Sequence, residues 1–407
     1  MTYYRKKNKS TSDTPQKQGR PQQGRPQQGR PQQAKNKRVS SLDPKMLVQK
    51  AQEGRQEGFH TDSLFSDLKL DSRLQKNIDL KGYESLTIIQ EQAIPPLLEG
   101  RDIMAISRTG SGKTAAFLIP IILHALQDPG NFSALVVAPT RELAIQIGEE
   151  FVSLTKGMQL RSSTFIGGTN INGNLQQLKK KAHLIIGTPG RLLDLAAQRA
   201  LDLRRTNTLV LDEFDRMLDM GFVNDVKKLV KLIGPRDQTM LFSATLDPGQ
   251  KQLISGLLQD PVEIKVDTGG SPHQYIEQET IKVAEDDDKF EVLMKLFKNP
   301  DMEKIILFTE TKRLADRIAK KLIKSGITAG QIHGDKSQNF RNKILKDFKS
   351  GDIRVLVATD VAARGIDVAD VSHVINYQMP MTMDSYIHRI GRTGRAGKPG
   401  HAITFVN

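Results

Sequence analysis

The feature that most restricts this chain is the alternation, from about Thr61 onward, of short apolar runs with longer amphipathic ones. The apolar runs cover 102–107, 134–139, 183–188, 208–213 and 240–245, and the clearest amphipathic stretches are 142–155 and 223–233. A strand apolar along its whole length needs cover on both faces, and strands separated by helices pair in parallel through crossovers. The prediction is an α/β fold, a mostly parallel sheet flanked by helices. The pattern pauses at Asp267-Thr-Gly-Gly-Ser-Pro-His273, which reads as a linker, and restarts over 304–309, 330–334, 353–360 and 373–377. Two sequential domains with a cleft between them follow: 61–267, a linker at 268–274, and 275–407.

Ahead of these domains the composition changes. Gly-Arg-Pro-Gln-Gln occurs in tandem at 19–23, 24–28 and 29–33, with almost nothing apolar to bury, so a disordered arm is expected over 1–60. Within it a short helix is predicted over 43–52, capped by Ser41 or Asp43. The arm carries +10 of the chain's formal charge of +14. That asymmetry suits a polyanion partner, or a solubilising tail. The chain has no cysteine, which leaves no disulfide or Cys-ligated zinc and fits a reducing, cytoplasmic setting. No run reaches the roughly 18 apolar residues of a membrane span, and the basic N-terminus has no apolar signal core.

Residues 102–114 run from an apolar strand into Ser107-Arg-Thr-Gly-Ser-Gly-Lys-Thr114, with a helix after it. This is the context of a phosphate-binding loop. Gly110 and Gly112 let backbone N–H groups face phosphate oxygens, Lys113 adds charge at the β- and γ-phosphates, and Thr114 offers a hydroxyl to Mg²⁺. Such a loop needs an acidic partner at the end of a neighbouring strand. Leu209-Val-Leu-Asp-Glu-Phe-Asp215 supplies one: Asp212 to hold Mg²⁺ largely through water, Glu213 to orient or deprotonate the attacking water.

At this point the chain resembles the DEAD-box RNA helicases of helicase superfamily 2, and more the bacterial members. The acidic motif reads Asp-Glu-Phe-Asp at 212–215, followed by Arg-Met-Leu-Asp-Met-Gly-Phe, and ordered markers extend from Phe65 to Arg395. The resemblance implies two tandem RecA-like domains, ATP with Mg²⁺, and RNA held through its backbone with little sequence preference. Gly82-Tyr-Glu-Ser-Leu-Thr-Ile-Ile-Gln90 resembles the family's Q motif: the Gln90 amide can pair with adenine, Phe65 can stack on it, and Tyr83 belongs to the same element. Arg108, Thr109 and Ser111 complete the phosphate loop, and Gly365 and Asp367 lie on the ribose side.

Pro139-Thr140-Arg141, Gly167-Gly168, Thr188-Pro189-Gly190-Arg191, Gln338, Arg341, Thr359 and Asp360 resemble the RNA-facing set. Asp215, Ser243, Thr245 and His388 resemble the elements that couple hydrolysis to lobe closure. Arg392 and Arg395 fall where the family places arginine fingers. Three departures stand out: Ser107, Leu86 in place of proline, and Phe214 beside the catalytic acids.

The expected activity is RNA-stimulated ATP hydrolysis by a monomer, coupled to local unwinding of short duplexes or remodelling of RNA–protein complexes. A low-turnover RNA clamp, a superfamily 2 DNA helicase and a tail-driven RNA chaperone stay open as readings of the residues. The last run, 401–407, reads as a strand, and the family's second lobe normally continues past it, so a C-terminus cut short is expected.

Overall fold

In the computed structural model, which describes residues 42–51, 60–108, 110–130, 133–246, 250, 253–266, 276–284, 288–363, 368, 370–394 and 400–406, the apolar runs form strands of two parallel sheets. The expected disordered arm up to residue 41 and the linker at 268–274 lie outside the described residues.

The first lobe opens with β1 (His60–Leu64) and β2 (Ser85–Thr87), paired antiparallel as a ribbon. Its main sheet comprises β3 (Ile103–Ile106), β4 (Ala134–Val137), β5 (Ser162–Phe165), β6 (Leu184–Gly187), β7 (Thr208–Leu211), β8 (Gln238–Ser243) and β9 (Val262–Lys265). The strand order is β5-β6-β4-β7-β8-β3-β9, every pair parallel. Helices α1 (Ser72–Leu80), α2 (Ile88–Leu98), α3 (Lys113–Gln127), α4 (Arg141–Leu154), α5 (Ile171–Leu178), α6 (Pro189–Ala197), α7 (Phe214–Asp219) and α8 (Val223–Ile233) accompany it.

Successive strand residues feed opposite faces of this sheet, as the period of two requires. Ile103, Ala105 and Val136 join one core with Phe117 and Phe242; Met104, Leu135 and Val137 join the other with Phe214 and Met217. Sequence reading had not found β5 and β9. They are the two edges of the sheet; in β9 Glu263 and Lys265 are exposed, and in β5 Ser162, Ser163 and Thr164 are only half-buried.

The second lobe repeats the plan with β10 (Ile276–Lys282), β11 (Ile305–Phe308), β12 (Ala329–Ile332), β13 (Val355–Ala358), β14 (His373–Asn376) and β15 (Gly400–Val406). Their order is β10-β15-β14-β11-β13-β12, again all parallel. Its helices are α9 (Lys289–Leu296), α10 (Lys312–Lys324), α11 (Gln338–Ser350), α12 (Asp360–Ala363) and α13 (Met383–Ile390).

The helix expected over 43–52 is corrected. Only Pro44–Leu47 is helical, as one 3₁₀ turn capped by Asp43, whose carboxylate accepts from the Lys45 N–H at 2.9 Å. Beyond it the backbone extends, and Gln49 pairs antiparallel with Gln278 on the outer edge of β10. An open strand edge offers a better partner to this backbone than another helical turn with few apolar side chains to bury.

Candidate active site and nucleic-acid interface

The phosphate loop turns from β3 into α3. Gly110 and Gly112 hold φ of +83° and +96°, a left-handed backbone open to glycine at little cost. At Gly112 the restriction is also spatial, because an added Cβ would lie 2.5 Å from the Gln90 amide nitrogen and 2.8 Å from the Thr87 hydroxyl. Ser107, the departure at the loop's start, is buried and joins its hydroxyl to that of Ser111. Its carbonyl accepts from the Lys113 ammonium at 2.7 Å, so this lysine lies across the loop's own backbone.

The Q-motif residues close one end of the same site. The Gln90 side-chain nitrogen donates to the Gly112 carbonyl at 3.1 Å, and its oxygen accepts from the Thr87 N–H at 2.9 Å. Gln90 therefore braces the phosphate loop from α2. Phe65 stacks on Tyr83, centroids 6.0 Å apart and planes 26° apart. Glu150 on α4 binds both the Tyr83 hydroxyl (3.2 Å) and Lys81 (3.0 Å), and burial, then Glu150, raise the Tyr83 phenol above its ordinary range. Leu86, the second departure, is a buried core residue in β2.

At the carboxyl end of β7, Asp212 is only 2% exposed and accepts from the Glu213 N–H at 2.9 Å. Burial pushes its carboxyl up to about 6, against the pull of Lys113. Burial acts on Glu213 in the same sense, but Arg216, Lys113 and Arg392 around it outweigh it and hold this carboxyl below the usual range. Glu213 has φ of +51°, and Arg216 pairs with its carboxylate one helical turn on. The acid strand is not beside the loop strand, as had been expected. Strand β8 lies between β3 and β7, and its end carries Ser243. Asp215 accepts from the N–H groups of Ala244 (3.2 Å) and Thr245 (3.1 Å) and from the Thr245 hydroxyl (3.2 Å), while the Ser243 hydroxyl receives the Asp215 N–H at 3.2 Å. The third departure, Phe214, is wholly buried in the core below the sheet and does not border the cleft.

A cleft of about 610 Å³ gathers these groups: Phe65, Tyr83, Gln90, Gly110, Gly112, Lys113, Thr114, Asp212 and Glu213 from the first lobe, with Arg392 from the second. Arg108 and Ser111 belong to the loop without lining the cleft; the Arg108 carbonyl accepts from the Ser111 hydroxyl at 2.9 Å. Thr109, Gly365, Asp367 and Arg395 lie outside the described residues. His388 borders a small crevice beside the cleft with Arg216 and Arg392, and its carbonyl accepts from the Arg392 Nε–H at 3.2 Å.

Part of the predicted RNA-facing set meets where the lobes touch. Arg141 donates to the Gln338 side chain at 3.2 Å, Gln338 donates to Glu142 at 3.2 Å, and Arg341 pairs with Glu142 at 2.7 Å. Gly167 and Gly168 make room for the Arg141 guanidinium, which a Cβ at Gly168 would strike at 2.4 Å. Thr140 caps α4 by accepting from the Leu143 N–H. Thr188 and Pro189 start α6, and a side chain at Gly190 would meet open space. Pro139 ends the turn from β4 into α4, and Thr359 is buried at the end of β13. Arg191 donates to Asn174 and to the Thr169 carbonyl at 3.0 Å, yet its buried Nε–H, like that of Arg341, has no acceptor. Burial, then the nearby Arg341, lowers the pKa of Arg141. Guanidiniums that repel one another and keep orphaned donors make a site suited to anions.

Asp360, expected on the RNA side, is engaged within the second lobe. Both its carboxylate oxygens are held by Arg389, which also donates to Asn376 at 3.1 Å and to the Gln378 carbonyl at 3.0 Å. Sequence reading missed Arg389, together with Glu142, Asn174, Glu150 and Arg216. All are partners of predicted residues, and of them Arg216 alone stands in a motif quoted above, directly after the acidic one.

Two family models match the chain, one described as DEAD/DEAH box helicase over residues 87–253 and one as helicase conserved C-terminal domain over 288–397. The chain is 44% identical over 342 residues to an ATP-dependent RNA helicase CshA of Listeria monocytogenes, covering 84% of this chain and 66% of the relative. It is 42% identical to a DEAD-box ATP-dependent RNA helicase CshA of Bacillus subtilis, covering 84% and 69%. The chain thus spans about two thirds of the length of these relatives. Among solved structures it resembles S. cerevisiae Dbp5 bound to RNA and ADP BeF3, at 33% identity and a TM-score of 0.73 over 85% of this chain and 90% of that one. It also resembles Mss116p bound to ssRNA and AMP-PNP, at 31% identity and a TM-score of 0.75 over 88% and 76%.

Proposed function

This chain belongs to the DEAD-box ATP-dependent RNA helicases, and from that premise we propose that it hydrolyses ATP when RNA draws its two lobes together, separating short RNA duplexes locally. The observation that carries the reading is Arg392, contributed by the second lobe to the cleft that holds Lys113, Asp212 and Glu213. A nucleotide there would be bound by the first lobe and completed by the second. Completion of the site within one chain supports action as a monomer.

The residues fit divalent-metal nucleotide chemistry. Asp212 is a buried carboxylate whose raised pKa marks a negative charge short of compensation. No dedicated cluster of metal-ligating side chains occurs among the described residues, which suits an ion held mostly by phosphate and water. Asp212 and Thr114 would hold Mg²⁺, which when bound neutralises phosphate charge. Lys113 would exchange the Ser107 carbonyl for β- and γ-phosphate oxygens. Glu213, kept ionised by its cationic neighbours, would accept the proton of the attacking water. Arg392 would stabilise the charge that develops on the transferred phosphoryl group, as arginine fingers do.

Asp215, bonded to Ser243 and Thr245, supports a link from these acids to the strand ends facing the second lobe. The RNA backbone would displace part of the Arg141–Gln338 contact and take the Arg141 guanidinium. The buried place of Phe214, away from the cleft, favours an active enzyme over a low-turnover clamp.

The test is ATP hydrolysis with single-stranded RNA, single-stranded DNA or no nucleic acid, beside a Glu213→Gln variant. Stimulation by RNA alone, abolished in the variant, is expected. Equal stimulation by DNA would move the assignment to a DNA helicase. Turnover no faster than the variant's would leave an RNA clamp.

A further inference from the structure

Arg392 reaches the cleft from a turn after α13, and that turn is mounted against the outer edge of the second sheet. Thr393 donates its hydroxyl to the Val371 and Ser372 carbonyls. Gly394 lies so near β10 that an added Cβ would be 2.8 Å from Ile276, and a Cβ at Gly400 would strike the Gly394 backbone at 2.3 Å. Ile276 in turn packs in a small separate core with Tyr386 and Ile390 of α13, Ala402 of β15, and one residue from far away in sequence, Leu47.

The Leu47 side chain is fully buried there, although Met46 and Val48 beside it are exposed. Its segment is fixed at both ends. Asp43 caps the 3₁₀ turn, and Gln49 exchanges two backbone hydrogen bonds with Gln278, of 3.0 and 2.8 Å. The Tyr386 hydroxyl donates to the Gln278 side-chain oxygen at 2.9 Å, and the Leu47 carbonyl lies 3.4 Å from the same hydroxyl. Residues that precede the first lobe in sequence thus complete the core beneath the arginine of the second.

We propose that residues 44–49 are a positioning strap for the catalytic arginine: Leu47, through Ile276 and Tyr386, sets the seat of α13 and of the turn that presents Arg392 to the nucleotide. The strap also covers the edge of β10, which would otherwise expose unpaired backbone groups. Leu47 touches no substrate and acts only through the mount. This rests on the reading of Arg392 as a contact to the reacting phosphate.

The experiment uses the full chain with Leu47→Ala, which leaves a void at the mount, and Leu47→Met, which keeps the volume. Two readouts are taken, amide exchange over 383–394 and steady-state ATPase with saturating RNA. In Leu47→Ala, exchange over 383–394 should quicken while that of α3 stays as in the parent. Turnover should fall about three- to tenfold, because displacing a catalytic group costs rate even when it remains present. The KM for ATP should stay within about twofold, since the adenine and phosphate groups belong to the first lobe. Leu47→Met should restore both readouts. Unchanged exchange over 383–394 would overturn the strap whether or not the protein hydrolyses ATP, and so would quickened exchange with undiminished turnover. An inactive parent, matched by Glu213→Gln, would instead overturn the functional reading and the catalytic purpose of the strap with it, while exchange over 383–394 would still decide whether Leu47 seats the mount.

Discussion

Replacing Asp212 with asparagine should stabilise the nucleotide-free protein while it destroys hydrolysis. The Asp212 carboxyl is raised from 3.8 to about 6, chiefly by burial. At about 1.4 kcal/mol per pH unit, holding it ionised in the fold costs about 3 kcal/mol near pH 7.5. The sign follows from proton binding: the folded state binds this proton more tightly than the unfolded chain. The penalty is therefore complete above pH 6, about half as large by pH 5, and nearly gone by pH 3.8. Asparagine removes the charge and can still accept the Glu213 N–H now received at 2.9 Å. Its new amide donor needs a partner and returns about 1–2 kcal/mol of cost. A net gain of about 1–2 kcal/mol corresponds to a first-lobe melting point roughly 2–8 °C higher, at about 2–4 °C per kcal/mol for a domain of this size.

The assay is a thermal melt in chelator at pH 7.5, repeated at pH 5, where the gap between variant and parent should narrow. Saturating Mg²⁺ and ATP should narrow or reverse the gap, because the variant lacks one of the two groups that would hold Mg²⁺ and so gains less than the parent's ligand stabilisation of about 2.7 kcal/mol at a hundredfold excess over Kd. An Asp212→Asn protein that melts at or below the parent in chelator would refute the claim that this buried charge is uncompensated without ligand.

Two further outcomes follow from burial. Phe214→Leu should leave kcat and the KM for ATP near those of the parent, whereas Phe214→Ala should lose about 3–5 kcal/mol of first-lobe stability in denaturant titration; a large kcat change in the leucine variant would place the ring in the catalytic site after all. His373, stacked on His401 at 4.9 Å, has its pKa lowered from 6.5 to about 4 by burial and then by His401, so second-lobe stability should be lost as pH falls from 6.5 to 4; melts of a His373→Gln variant should lack that loss.

Much of the molecule was legible in its sequence, for identifiable reasons. Strands buried on both faces, such as β4 and β7, must be apolar throughout, so their runs announced them. Strands β5 and β9 escaped notice because polar residues, Ser162 to Thr164 in one and Glu263 and Lys265 in the other, break their apolar runs. Site residues constrained by local backbone were equally visible: Gly112 has no substitute at its φ and its spacing from Gln90. Groups that serve the site through a partner were hidden. Arg389, which holds both oxygens of Asp360, is marked by no local spacing or backbone constraint.

The sequence by itself determined the parallel α/β lobes, the phosphate loop and the acid pair, because each is written in contiguous residues through periodicity, glycine and charge. Tertiary structure alone decided where those pieces meet. It put β8 between the loop strand and the acid strand, turned Phe214 into the core, and brought Arg392 to Glu213. It also carried Leu47 to a core completed by residues more than two hundred positions away. Local composition cannot encode such meetings, since they depend on which open edge or void each segment fills once the sheets have formed.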